Sequence, residues 1–212
     1  MKHKLAGLYA ITPDESSTET LLSEVAQALR GGAAVVQYRN KTASPDLRRQ
    51  QARSLASLCS EAGACFIVND DIGLALEVNA DGAHLGGEDG DLAAARIQLG
   101  RGKLLGASCY DRLELAQAAI QANVDYLAFG SVFASVTKPA AVRAPLALFG
   151  EARRRFSVPL VAIGGITLQN APQVFAAGAD AAAVISALFD AGDIAERAAA
   201  FTRLHQQQWM QQ

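Results

Sequence analysis

What most constrains this chain is a strict alternation. Eight short apolar runs, at residues 8–12, 34–39, 65–69, 82–85, 104–108, 126–130, 160–164 and 181–185, read as strands. Longer stretches with helical periodicity follow them, at 18–29, 45–62, 72–78, 92–99, 112–122, 145–155, 168–177 and 194–207. Strand–helix alternation requires parallel strands joined by right-handed crossovers. Eight such units close naturally into a barrel. Several helices also end on one phrase, Gly31-Gly32-Ala33, Asn79-Ala80-Asp81, Asn123-Val124-Asp125 and Ala177-Gly178-Ala179-Asp180, which suggests stacked similar units. An open doubly wound sheet is the alternative, but no GxGxxG follows the first run. The expected fold is therefore α/β: a (β/α)8 TIM barrel, one domain spanning 1–212.

Composition narrows the function. Half of the residues are apolar and 6% aromatic, a palette suited to buried parallel strands. The net charge is −2 and no basic stripe stands out, so nucleic acid is not an expected partner. No run of 18 apolar residues exists, so no membrane span is expected. Residues 5–11 run into Thr12-Pro13-Asp14, which reads as a strand and its exit loop rather than a signal peptide. Cys59, Cys65 and Cys109 show no CxxC spacing and give neither a disulfide framework nor a zinc site. A reducing cytoplasm is the expected compartment.

In such a barrel, chemistry sits at the C-terminal ends of the strands, and most exits here are polar. After strand two, alternation along Gln37-Tyr38-Arg39-Asn40-Lys41 sets Gln37, Arg39 and Lys41 on one side. An amide, a guanidinium and an ammonium suit a polyanion, although Arg39 could instead be held by an ion pair. Strand three ends in Asn69-Asp70-Asp71, and strand four is followed by Gly86-Gly87-Glu88-Asp89. Carboxylates on adjacent exits can converge on a hard cation such as Mg2+, with Asp70 and Asp89 the preferred ligands. Asp71 also suits a helix cap, and Glu88 a solvated surface.

Ser108 ends strand five, as a phosphate donor or as the cap of the next helix. His84, among Gly82, Ala83 and Leu85, reads as packed or as pointing into the mouth, with the packed reading slightly favoured. Strand six leads into a loop carrying Ser131, Ser135, Thr137 and Lys138, with Lys138 held extended before Pro139. The exits of strands seven and eight, Gly164-Gly165-Ile166-Thr167 and Ile185-Ser186-Ala187, suit phosphate binding by backbone N–H groups.

Taken in order, these motifs closely resemble the thiamine-phosphate synthase family over nearly the whole chain. Three segments depart from the family's common pattern. Gly86-Gly87-Glu88-Asp89 stands for Gly-Gln-Glu-Asp, Ala134-Ser135-Val136-Thr137-Lys138 for Pro-Thr-x-Thr-Lys, and Tyr110 for a histidine. The resemblance implies a transferase that joins a hydroxymethylpyrimidine diphosphate to a thiazole phosphate and releases pyrophosphate. It implies that Gln37, Arg39, Lys41, Asn69, Ser108 and Lys138 hold the diphosphate, with Arg39, Ser108 and Lys138 carrying the catalysis. Asp70 and Asp89 would bind one Mg2+. Gly165, Ile185 and Ser186 would bind the thiazole phosphate, with Ser135 and Thr137 beside the thiazole. The implied partners are these two small molecules, and a homo-oligomer is left open. Rival readings are a thiazole tautomerase, which needs no diphosphate–metal site, a phosphosugar isomerase, which needs an acid–base pair not found here, and a non-catalytic phosphometabolite binder.

Overall fold

The computed structural model describes residues 5–86, 90–134 and 142–210. Eight parallel strands pair in sequence order, and the eighth pairs with the first to close the barrel. They are β1 Gly7–Ile11, β2 Val35–Tyr38, β3 Cys65–Asn69, β4 Gly82–Leu85, β5 Leu104–Tyr110, β6 Tyr126–Gly130, β7 Leu160–Ile163 and β8 Ala181–Val184. The helices between and after them are α1 Thr18–Arg30, α2 Pro45–Ala62, α3 Ile72–Glu77, α4 Leu92–Leu99, α5 Leu113–Gln121, α6 Ala147–Arg155, α7 Ala171–Ala176, α8 Ser186–Phe189 and α9 Ile194–Trp209. No described helix is long and apolar enough to cross a membrane.

Strand alternation builds two cores. Tyr9, Ile11, Val35, Ile67, Tyr126, Val161 and Ala183 fill the inside of the barrel. Leu8, Val36, Phe66, Leu127 and Ala182 face outward and pack against the helices.

The helix-stop phrases have a structural purpose. Asn79 and Asn123 take left-handed conformations, with φ of 53° and 59°. The aspartate two residues later then closes a ring with the preceding strand. Asp81 Oδ2 accepts the Phe66 N–H at 2.8 Å, Asp125 Oδ2 that of Leu105 at 2.8 Å, and Asp180 Oδ2 that of Leu160 at 2.7 Å. In each case the aspartate's own N–H donates to the carbonyl of the same residue. The strands' N-terminal ends, which have no neighbour beyond them, are thus satisfied.

The structure corrects several expected boundaries. β5 runs on to Tyr110, where φ is 53° and the pairing with β6 shifts register. α7 begins at Ala171 rather than 168, because Asn170 Oδ1 accepts the Thr167 N–H at 2.8 Å and holds a turn there. α6 begins at Ala147, after a tight turn in which Leu148 N–H donates to the Pro145 carbonyl. α8 was not expected, since four residues are too short to show a helical period.

Candidate active site

A cavity of about 380 Å3 opens at the C-terminal rim of the barrel, within the usual range for small-molecule sites. Tyr9 and Tyr126 line it from the barrel interior, and the strand exits form its walls. Of the residues expected from the sequence, Gln37, Arg39, Lys41, Asn69, Asp70, Ser108, Gly165, Ile185 and Ser186 all line this one cavity. Asp89, Ser135, Thr137 and Lys138 lie outside the described residues, as do Gly87 and Glu88. Gly86 and Ala134, on the near side of those two segments, line the cavity as well.

At the exit of β2 the ladder ends at Tyr38, but side chains continue the alternation. Thr12 Oγ1 accepts the Arg39 N–H and donates to the Arg39 carbonyl, both at 2.9 Å. Tyr38 and Asn40 turn outward: both bond to Gln51 Oε1 in α2, at 2.8 and 3.1 Å. Gln37, Arg39 and Lys41 are left on the cavity side. Asp14, in the exit loop of β1, organises this group: it receives Arg39 Nη1 on both oxygens, at 3.2 and 3.3 Å, and the Lys41 N–H at 2.7 Å. The ion-pair alternative for Arg39 is therefore realised without removing it from the cavity. Asp14 carries little signal in the sequence, where it is only an acid at the exit neighbouring a basic pair.

At the exit of β3, Asp70 sits at φ 61° and its N–H donates to the His84 carbonyl at 2.9 Å. Asn69 Nδ2 donates to Asp70 Oδ2 at 2.5 Å, so the two side chains are mutually oriented. Asp71 does not join them. It caps α3, accepting the Leu74 N–H at 2.8 Å, and receives Arg48 Nη2 at 3.1 Å.

His84 combines the two readings of the sequence. It is buried, 7% exposed, yet lines the cavity. Its Nδ1 meets the Tyr126 hydroxyl at 3.0 Å and its Nε2 meets Ser108 Oγ at 2.8 Å. The Tyr126 hydroxyl in turn meets that of Tyr9 at 2.9 Å. Burial pushes both phenols well above their ordinary range. Ser108 faces the cavity from within β5 and is not a helix cap; the N-cap of α5 is Arg112, which makes no side-chain cap bond. Tyr9 and Tyr126 carry no functional signal in the sequence, because an inward aromatic on a barrel strand looks like ordinary core.

The exits of β6 and β7 are locked together. Phe133 N–H donates to the Gly164 carbonyl at 3.0 Å, and Val132 N–H to that of Ile163 at 3.0 Å. Gly164 and Gly165 have φ of 100° and 63°. A Cβ at Gly164 would lie 2.1 Å from Ser131 Oγ, and one at Gly165 would lie 2.3 Å from the Ala134 carbonyl oxygen. Both the dihedral and the close approach require glycine. Asn170 Nδ2 fixes the Gly165 carbonyl at 2.9 Å, another role the sequence did not reveal.

A closed parallel barrel with an amide, two cations, a carboxylate and a glycine-bound seventh exit around one cavity defines a (β/α)8-barrel enzyme. The model of the thiamine monophosphate synthase family matches residues 8–188, and the chain belongs to that family. It is similar to the thiamine-phosphate synthase of Aromatoleum aromaticum, 58% identical over 95% of this chain and 97% of the relative. It is also similar to that of an Azoarcus species, 51% identical over 96% and 99%. Among solved structures it is similar to a thiamine phosphate pyrophosphorylase from Pyrococcus furiosus, with a TM-score of 0.85, 33% identity, and coverage of 97% of this chain and 98% of that one.

Proposed function

We propose that this chain is a thiamine-phosphate synthase, a transferase of thiamine biosynthesis. It joins 4-amino-2-methyl-5-hydroxymethylpyrimidine diphosphate to thiazole phosphate and releases pyrophosphate. The bond between the pyrimidine methylene carbon and the diphosphate oxygen breaks, and its electron pair leaves with pyrophosphate. The thiazole nitrogen lone pair then forms the new carbon–nitrogen bond. No proton transfer is needed in that balance, so Ser108 and His84, although hydrogen-bonded at 2.8 Å, are not called on as nucleophile and base.

The residues act by neutralising and aiming. Arg39, Lys41 and Lys138 take up the charge that develops on the leaving diphosphate. Gln37, Asn69 and Ser108 orient it. Gly165, Ile185 and Ser186 take the thiazole phosphate through backbone N–H groups, with Ser135 and Thr137 beside the ring. Holding both substrates in register supplies much of the remaining acceleration. The amino-pyrimidine can stabilise positive charge on its methylene carbon, so diphosphate departure precedes attack.

Asp70 and Asp89 are the residues for Mg2+, one per subunit. Among the described residues no three His, Cys, Asp or Glu side chains converge, so they form no protein cage for a metal. Mg2+ is commonly held by one or two carboxylates together with phosphate oxygens and water. Asp70, a hard oxygen donor on the cavity wall beside the diphosphate group, fits that donor set. When bound, the ion adds positive charge against the leaving oxygens. We assign the reaction to the cytoplasm, where three free thiols are stable.

The observation that carries this reading is the meeting of Gln37, Arg39, Lys41, Asn69, Asp70 and Ser108 with Gly165, Ile185 and Ser186 around one cavity. The test is pyrophosphate release on mixing both substrates with Mg2+. Release should require both substrates and stop with chelator; a barrel that only binds, or only tautomerises the thiazole, releases none.

A further inference from the structure

The inner wall of the cavity carries a continuous hydrogen-bonded chain. Gln37 Nε2 donates to the Tyr9 hydroxyl at 3.0 Å. The Tyr9 and Tyr126 hydroxyls are 2.9 Å apart, Tyr126 Oη and His84 Nδ1 3.0 Å, and His84 Nε2 and Ser108 Oγ 2.8 Å. These residues come from β2, β1, β6, β4 and β5, so the chain crosses the barrel interior and ends at the cavity.

Hydrogen counting gives the chain a direction. Each phenol has one hydrogen, and a neutral imidazole donates from one nitrogen and accepts at the other. Burial keeps both phenols protonated. Tyr9 accepts from Gln37, and its own hydrogen goes to Tyr126, its remaining hydroxyl neighbour among the described residues. Tyr126 then has its hydrogen for His84 Nδ1. His84 must carry its hydrogen on Nε2 and donates it to Ser108. Ser108 accepts from within the wall and keeps its own hydrogen for the cavity. In the opposite direction Ser108 would donate inward, and the hydrogen of buried Tyr9 would meet the donating amide of Gln37 with no acceptor.

We infer that Tyr126, backed by Tyr9, is a positioning residue: acting through His84, it sets the Ser108 hydroxyl as a donor into the cavity. This rests on the proposed role of Ser108 toward the diphosphate and deepens it. A serine free to rotate can spend its hydrogen on His84 Nε2; one that already accepts there cannot. The fold makes room for this device. The Tyr126 ring stacks on the His84 ring with centroids 5.5 Å apart. It lies over Gly106, where a Cβ would be 2.0 Å from ring carbon Cζ. Tyr126→Phe therefore keeps the packed ring and deletes only the oxygen.

The test is a double-mutant cycle with a spectroscopic readout. In the wild-type sequence, Tyr126→Phe should lower kcat about tenfold, the worth of one aimed hydrogen bond, and change KM for the diphosphate substrate about twofold at most. In a Ser108→Ala background the same substitution should cost nothing further. With 15N-labelled histidine, His84 should carry its hydrogen on Nε2 in the wild type and lose that preference in Tyr126→Phe. Equal losses in both backgrounds, or a wild-type His84 with its hydrogen on Nδ1, would overturn the inference. If Tyr126→Phe loses its cooperative thermal transition, Tyr9→Phe takes its place with the same expected coupling to Ser108. The tautomer is read without substrate, so a wild type that releases no pyrophosphate counts against the proposed reaction and not against the chain.

Discussion

Arg39 shows how one residue can serve the fold and the chemistry together. Its ion pair with Asp14 orients the guanidinium in the cavity wall and spares it the entropy of a free side chain. Arg39→Ala, and likewise Lys138→Ala, should lower kcat by roughly 10²–10³, the loss typical of one aimed charge contact; steady-state kinetics near wild-type values would reject either assignment. Asp89→Ala should raise the Mg2+ concentration needed for half-maximal rate, and an unchanged titration would remove Asp89 from the ligand set. Residues whose chemistry is written in their type and spacing were legible in the sequence. Alternation from Gln37 to Lys41 gave the polar face, and the glycine pair at 164–165 gave the tight seventh exit. Asp14, Asn170 and the inward tyrosines were not legible. Their roles depend on partners 5 to 117 positions away, which only the folded chain brings together.

At the scale of elements, the recurring aspartates explain why one phrase precedes three of the strands. Each ties the start of its own strand to the start of the strand before it, in the pairs β3–β4, β5–β6 and β7–β8. Two of the three also hold an arginine, Arg96 on Asp125 and Arg153 on Asp180. Those ion pairs are partly exposed, so most of the stabilisation resides in the backbone contacts. Asp180→Ala would leave the N–H of Leu160, a fully buried residue, without its side-chain acceptor. It should destabilise the fold by about 2 kcal/mol, or about 6 °C in Tm for a domain of this size. Asp180→Asn, which keeps an acceptor, should lose less. An alanine variant melting with the wild type would contradict this. Strand order was legible because alternation leaves little choice of topology. The ends of α6 and α7 were not, since turns at Pro145 and Asn170 displace the first helical residue without disturbing the apolar pattern.

For the whole molecule, the core encloses groups that resist ionisation. Burial pushes the thiols of Cys59 and Cys109 and the phenol of Tyr38 up to about 12, and those of Cys65, Tyr9 and Tyr126 further still. In the unfolded chain these groups lose their protons near 9.0 for thiols and 10.0 for phenols. Above that range the unfolded state binds fewer protons than the folded one, so stability falls with rising pH. The contribution should be constant below about pH 9 and shrink steadily from pH 9 to 12. Chemical denaturation at fixed ionic strength would check it, and a midpoint unchanged between pH 8 and 11 would contradict it.

The same barrel that buries these groups is held to gather distant segments around two phosphorylated substrates. A crystal soaked with the pyrimidine diphosphate and Mg2+ tests that most directly. The account predicts the diphosphate in contact with Gln37, Arg39, Lys41, Asn69 and Ser108, with the metal on Asp70 and Asp89. A diphosphate bound away from that rim, or bound there with the metal on other residues, would contradict it.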